Sequence, residues 1–166
     1  MNIHNTISGL LLSVLLFITI VAAGKADFSG LWIMDKSKSE GLPPDMEQRM
    51  RVTQDGDRIE IETDLFQGDN VNTVPDRYNL DGKEVETPLR LNSGEQTNGK
   101  RTTKWSDEGR GFEVRDAAVF DMPNGKVTIM TVRKWALAAD GKSLVIEINR
   151  TGPDGVVSSK RTFNRK

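Results

Sequence analysis

Turn-forming glycine pairs recur along this chain at intervals that leave room for strands and little else. Asp55-Gly56, Asp81-Gly82, Asn124-Gly125, Asp140-Gly141 and Asp154-Gly155 are of the kind that supplies the positive backbone angles of two-residue hairpins. Looser breaks lie at 67–70, 92–99 and 106–111. Between the breaks, apolar and polar residues alternate. Ile59, Ile61 and Leu65 share one parity, while Arg58, Glu60, Glu62 and Asp64 take the other. Leu144, Ile146 and Ile148 alternate with Ser143, Val145, Glu147 and Asn149. A period of two means half-buried antiparallel strands.

This segmentation predicts ten strands, near 28–34, 49–54, 57–65, 71–80, 83–90, 100–105, 111–120, 127–138, 143–151 and 156–164. The one helical candidate is 43–49, after the first strand. With no long apolar helix to cover a flat sheet, the strands must roll up or form two layers. Long strands joined by tight local turns favour the first. The expectation is an all-β, antiparallel up-and-down meander barrel of about eight to ten strands with one short helical segment.

The first 23 residues stand apart. Residues 7–23 form an uncharged stretch, followed by the small residues Gly24 and Ala26. This reads as a signal peptide over 1–23, cleaved near 23 or 26, ahead of a barrel domain over 24–166. The other reading of the stretch is an uncleaved membrane anchor. The expected location is secreted or periplasmic.

Removal of the leader would take away His4, the only histidine, and the chain has no cysteine. Disulfides, thiolate nucleophiles and sulfur-bound zinc are thereby excluded. So are the usual general base and the centre of most nucleophile triads. A binding protein is expected rather than an enzyme, with no cofactor. No metal site is expected either, since Asp55, Asp57, Asp69 and Asp76 are dispersed among turns without EF-hand spacing. A net charge of −1 argues against nucleic acid as a partner.

Phe28, Gly30 and Trp32 form an F-x-G-x-W pattern in the first strand, and the last strand carries Arg161-Thr162-Phe163. A closed meander makes these strands neighbours, so Arg161 is expected to stack on Trp32 as a cation–π pair. In this layout the chain resembles the calycins, the superfamily of lipocalins and fatty-acid-binding proteins. The fatty-acid-binding branch holds a ligand carboxylate with two arginines and a tyrosine. The resemblance carries that role to Arg133, in Val132-Arg133-Lys134-Trp135, and to Arg161. Phe163 stands at the tyrosine position without its hydroxyl, and Tyr78 and Trp135 complete the candidate set. The segment 37–49 is too short for the two-helix lid of that branch. The implied function is an exported protein holding a small hydrophobic ligand in the barrel, with an anionic head if both arginines face inward. The alternative is a filled barrel that acts on a partner through the loops at 92–99 and 106–111.

Overall fold

A computed structural model describes residues 24–91, 94–106, 109–123 and 125–166. The expected leader at 1–23 lies outside the described residues, as do parts of the loops at 92–99 and 106–111. The described residues form ten strands: β1 (Gly30–Met34), β2 (Met46–Asp55), β3 (Arg58–Gln67), β4 (Asn70–Asn79), β5 (Asp81–Arg90), β6 (Gln96–Trp105), β7 (Gly111–Met122), β8 (Gly125–Leu137), β9 (Ser143–Gly152) and β10 (Gly155–Arg165). All pairings are antiparallel, and the sheet runs β4-β3-β2-β1-β10-β9-β8-β7-β6-β5. The meander therefore seals through its two chain ends, with Trp32 opposite Arg165 and Met34 opposite Phe163. Consecutive strands β4 and β5 exchange no ladder, which leaves one lengthwise seam.

The barrel has a floor and a mouth. At the floor, Phe28, Trp32, Ile59, Phe112, Leu144 and Phe163 are almost wholly buried. Phe112 stacks on Trp135 at 4.9 Å and meets Phe28 edge-on at 5.0 Å. Burying such side chains contributes about 1.5–3 kcal/mol each, which makes this end the main stabilising mass. Gly30 adopts φ +137°, a conformation that favours glycine. This explains the central residue of the F-x-G-x-W pattern. The indole of Trp32 donates to the Phe28 carbonyl at 2.8 Å, joining the pattern's two aromatic residues.

Three expectations are corrected. The guanidinium over Trp32 belongs to Arg165, at 4.6 Å, rather than to Arg161. The pairing register decides this, because Arg161 lies four residues, or about 13 Å, further up the strand. The segment 43–49 forms no helix. Two prolines precede Asp45, and from Met46 onward the residues alternate, burying Gln48, Met50 and Val52 in β2. The only helical element described is a 3-10 turn at Lys36–Lys38, capped by Asp35, whose carboxylate accepts from the Ser37 amide. Finally, Gln96–Gly99 belongs to β6 instead of a loop.

The connection between β1 and β2 runs along β10 as a strap. Glu40 exchanges backbone bonds with Lys160, and Thr162 donates its hydroxyl to the Lys38 carbonyl. Leu42 turns inward against the core. A second apolar cluster, of Leu91, Ala118 and Phe120, lies higher in the wall on the β5–β8 side.

Candidate functional site

The interior is not filled. A cavity of about 530 Å³ runs from Trp135 and Ile146 up to Leu42, Leu91, Phe120 and Val157. Its volume falls within the ordinary range for small-molecule pockets. The register sorts the wall into rows. Trp135, Ile146 and Arg161 share one row above the floor, and Arg133, Ile148 and Ser159 form the next. Above these, Arg101, Asp116, Thr131, Arg150 and Val157 follow one another across β6 to β10.

A charged belt spans the middle of this wall. Arg101 holds Asp116 through two bonds, Nε to Oδ1 at 2.6 Å and a terminal nitrogen to Oδ2 at 3.1 Å. Its other terminal nitrogen reaches Asp76 on β4 at 3.2 Å, and its plane lies 5.2 Å from the Tyr78 ring. Arg133 donates to Asp116 at 2.8 Å and to the Tyr78 hydroxyl at 3.2 Å. Burial is the largest influence and would lower the Arg101 pKa, but the bonds to Asp116 together with the nearby Tyr78, Asp116 and Asp76 oxygens outweigh it and hold the guanidinium above its ordinary value. Burial pushes the Tyr78 hydroxyl up. It stays neutral, accepts from Arg133, and keeps its own proton to donate.

Arg161 differs from its neighbours. It faces the cavity, donates to Gln48 across β1 at 3.1 Å, and has no carboxylate partner among the described residues. Its Nε is buried without a hydrogen-bond acceptor. Burial, and next the Arg133 charge, lower its pKa from the ordinary value. On the same row the indole N–H of Trp135 is likewise buried and unpartnered. Two donors without acceptors therefore line one level of the cavity, with the apolar Ile146 between them. Buried polar groups are normally satisfied, but as placed both nitrogens are closed off from solvent, as is the equally unpartnered Nε of Arg165 in the floor. Arg150, also in the cavity wall, has no ion-pair partner among the described residues.

The candidates taken from the sequence thus fall into two groups. Arg133, Arg161, Tyr78 and Trp135 all line the cavity. Phe163 does not; it is fully buried in the floor, opposite Met34 and Leu144. Arg101 and Gln48 were not singled out by motif. Parity carries their signal, since Arg101 shares its face with Thr103 and Trp105, and Gln48 shares its face with Met50 and Val52.

No family model matches the chain, and no curated protein matches it. Solved structures do. A zebrafish ileal bile acid-binding protein complexed with cholic acid aligns at a TM-score of 0.51 and 16% identity, over 84% of this chain and 98% of that one. Human cRBP IV aligns at 0.52 and 16% identity, over 85% and 99%. An abundant heat soluble (SAHS) protein of Ramazzottius varieornatus aligns at 0.52 and 15% identity, over 87% and 98%. The chain accordingly shares the fold of these proteins, an antiparallel ten-stranded meander barrel.

Proposed function

We propose that this protein binds a small amphiphile inside the barrel, with an anionic head held low in the cavity and an apolar body directed toward the mouth. The observation that carries this reading is Arg161, a guanidinium in the cavity wall with no carboxylate beside it among the described residues and a buried, unpaired Nε. Its neighbours in the belt are already neutralised, so the uncompensated charge lies where an incoming anion would meet it. Trp135 and Tyr78 each add a neutral donor near the same level. Higher up, Leu91, Ala118, Phe120 and Ile129 offer apolar surface to the rest of the ligand. The bile acid-binding protein of this fold, complexed with cholic acid, supports the reading by analogy.

The test uses 11-(dansylamino)undecanoic acid and its methyl ester. The acid is expected to bind saturably, and Arg161→Met to weaken it about tenfold or more, roughly 1.4 kcal/mol. Equal binding of acid and ester would remove the anionic head. An absence of binding by both would remove the amphiphile.

Export belongs to the same proposal. Of the two candidate cleavage points, the one after Ala23 keeps contacts that the one after Ala26 destroys. Lys25 pairs with Asp57 at 2.6 Å, and Ala26 donates its amide to Gly109 and accepts from Gln54. The mass of protein recovered outside the producing cells' cytoplasm is expected to correspond to a chain starting at Gly24. Recovery of the full-length chain there would count against processing.

A further inference from the structure

The seam between β4 and β5 is not a weakly formed ladder. Each strand carries a proline, Pro75 and Pro88, a residue confined to edges within sheets because it cannot donate to a ladder. β5 also breaks register between Asp81 and Glu84, a device that keeps edges from pairing. These strands are built to stay apart.

Cavities lie on both sides of the seam. The lumen reaches it from within at Val74, Asp76 and Tyr78. Outside is a second pocket of about 360 Å³, lined by Arg58, Arg77, Lys83, Val85, Arg101 and again Tyr78. The Tyr78 ring borders both spaces, and the Arg101–Asp76 contact, at 3.2 Å, joins a residue of the outer pocket to one of the lumen wall.

That contact is the dispensable one of the three Arg101 makes. The bonds to Asp116 are buried and bidentate, whereas the Asp76 side chain is 35% exposed and receives one bond. Releasing Asp76 leaves the guanidinium paired, so the contact can open without stranding a buried charge. The outer pocket also suits the cargo. Arg58 and Arg77 share a single carboxylate, Glu60, while Lys83 answers to Asp81. Val74 and Val85 stand partly exposed at the two edges of the seam. An excess cation outside and apolar edges within match an anionic amphiphile.

We propose that the β4–β5 seam is a lateral entrance to the lumen, that the Arg58–Arg77–Lys83 pocket is its vestibule, and that the Arg101–Asp76 pair is its gate. This rests on the lumen being a binding site, and the test separates the two. Stopped-flow binding of 11-(dansylamino)undecanoic acid is measured for the wild type, Asp76→Asn, Lys83→Glu and Lys126→Glu, the last at the mouth. Asp76→Asn is expected to raise both association and dissociation rates by about threefold or more, with little change in Kd. Removing a negative charge without a gate would instead slow dissociation of an anion, and a slower or unchanged dissociation rate overturns the gate. Lys83→Glu is expected to slow association by a similar factor at an unchanged dissociation rate, because steering acts on encounter. Lys126→Glu is expected to change neither rate. The reverse pattern, with Lys126→Glu slow and Lys83→Glu normal, assigns entry to the mouth and overturns the entrance even if Asp76→Asn fails to fold. Wild-type protein that binds no probe overturns the lumen reading, and the entrance with it.

Discussion

Arg161 and Arg165 lie on the same face of β10, and their surroundings have opposite physical signs. Arg165 covers the Trp32 ring at 4.6 Å and donates to the Asp27 carbonyl at 2.8 Å, so it closes the floor. Arg161 is desolvated beside another guanidinium and gains only a glutamine. Arg165→Met is therefore expected to lower stability by about 1–2 kcal/mol, while Arg161→Met leaves it unchanged or raises it. Urea unfolding midpoints check both, and equal losses would contradict the distinction. Parity along the last strand could not have told these two residues apart, because they share it; only the pairing register does. Gly99 gives a second lesson. Asn98-Gly99 has the composition of a hairpin turn, yet it lies inside β6. There a Cβ would come within 2.5 Å of Leu89 Cδ1 and 2.7 Å of the Ala117 carbonyl oxygen. The glycine serves close approach, so Gly99→Ala is expected to cost about 1–3 kcal/mol in the same assay. Tolerance of the alanine would place Leu89 elsewhere.

Among the elements, the long strands were the most legible, because their alternation is uninterrupted and their turn pairs are standard. The connection from β1 to β2 was the least. Pro43 and Pro44 with the following polar residues resemble a helix start, but Gln48, Met50 and Val52 bury on a period of two once the strand pairs on both sides. The unpaired seam had a signal that goes unread unless prolines are weighed by position: Pro75 and Pro88 fall in adjacent strands. The strap itself depends on Asp35. Hydrogen bonds from Ser37 lower its pKa to about 2 against a smaller opposing effect of burial, with Asn164 and Lys38 adding to the lowering. A carboxyl whose folded pKa lies below its unfolded value near 4 contributes stability above that pH and loses it as pH falls toward 2. The wild type is thus expected to lose stability between pH 4 and pH 2 more steeply than Asp35→Asn, measured by urea unfolding at each pH. Parallel curves would show that the cap contributes nothing.

At the scale of the molecule, closure depends on the last few residues. β1 pairs with β10 only through the three partners from Phe163 to Arg165, and these residues also supply a fully buried phenylalanine and the cover of Trp32. Loss of a buried aromatic side chain alone costs about 3–5 kcal/mol, against a total margin of about 5–15 kcal/mol for a domain. Deleting residues 161–166 is therefore expected to abolish the cooperative thermal transition followed by circular dichroism. A retained transition would show that the barrel does not need its final seal. The meander, its strand count and the meeting of its ends were all legible from turn spacing. The charged belt was legible only in part, because Asp116 shares the parity of Phe112, Val114, Ala118 and Phe120, but nothing local shows that Arg101 reaches across β5 to Asp76.

Both ends of the described chain emerge beneath the floor. Lys25 is held there by Asp57 and Ala26 by Gly109, while Lys166 donates its amide to Leu31. A handle grafted at Gly24 or at Lys166 therefore suspends the molecule like a cup fixed by its base. Immobilised this way on a bead or sensor chip, it keeps its brim and flank turned to the surrounding liquid, unobstructed by the attachment.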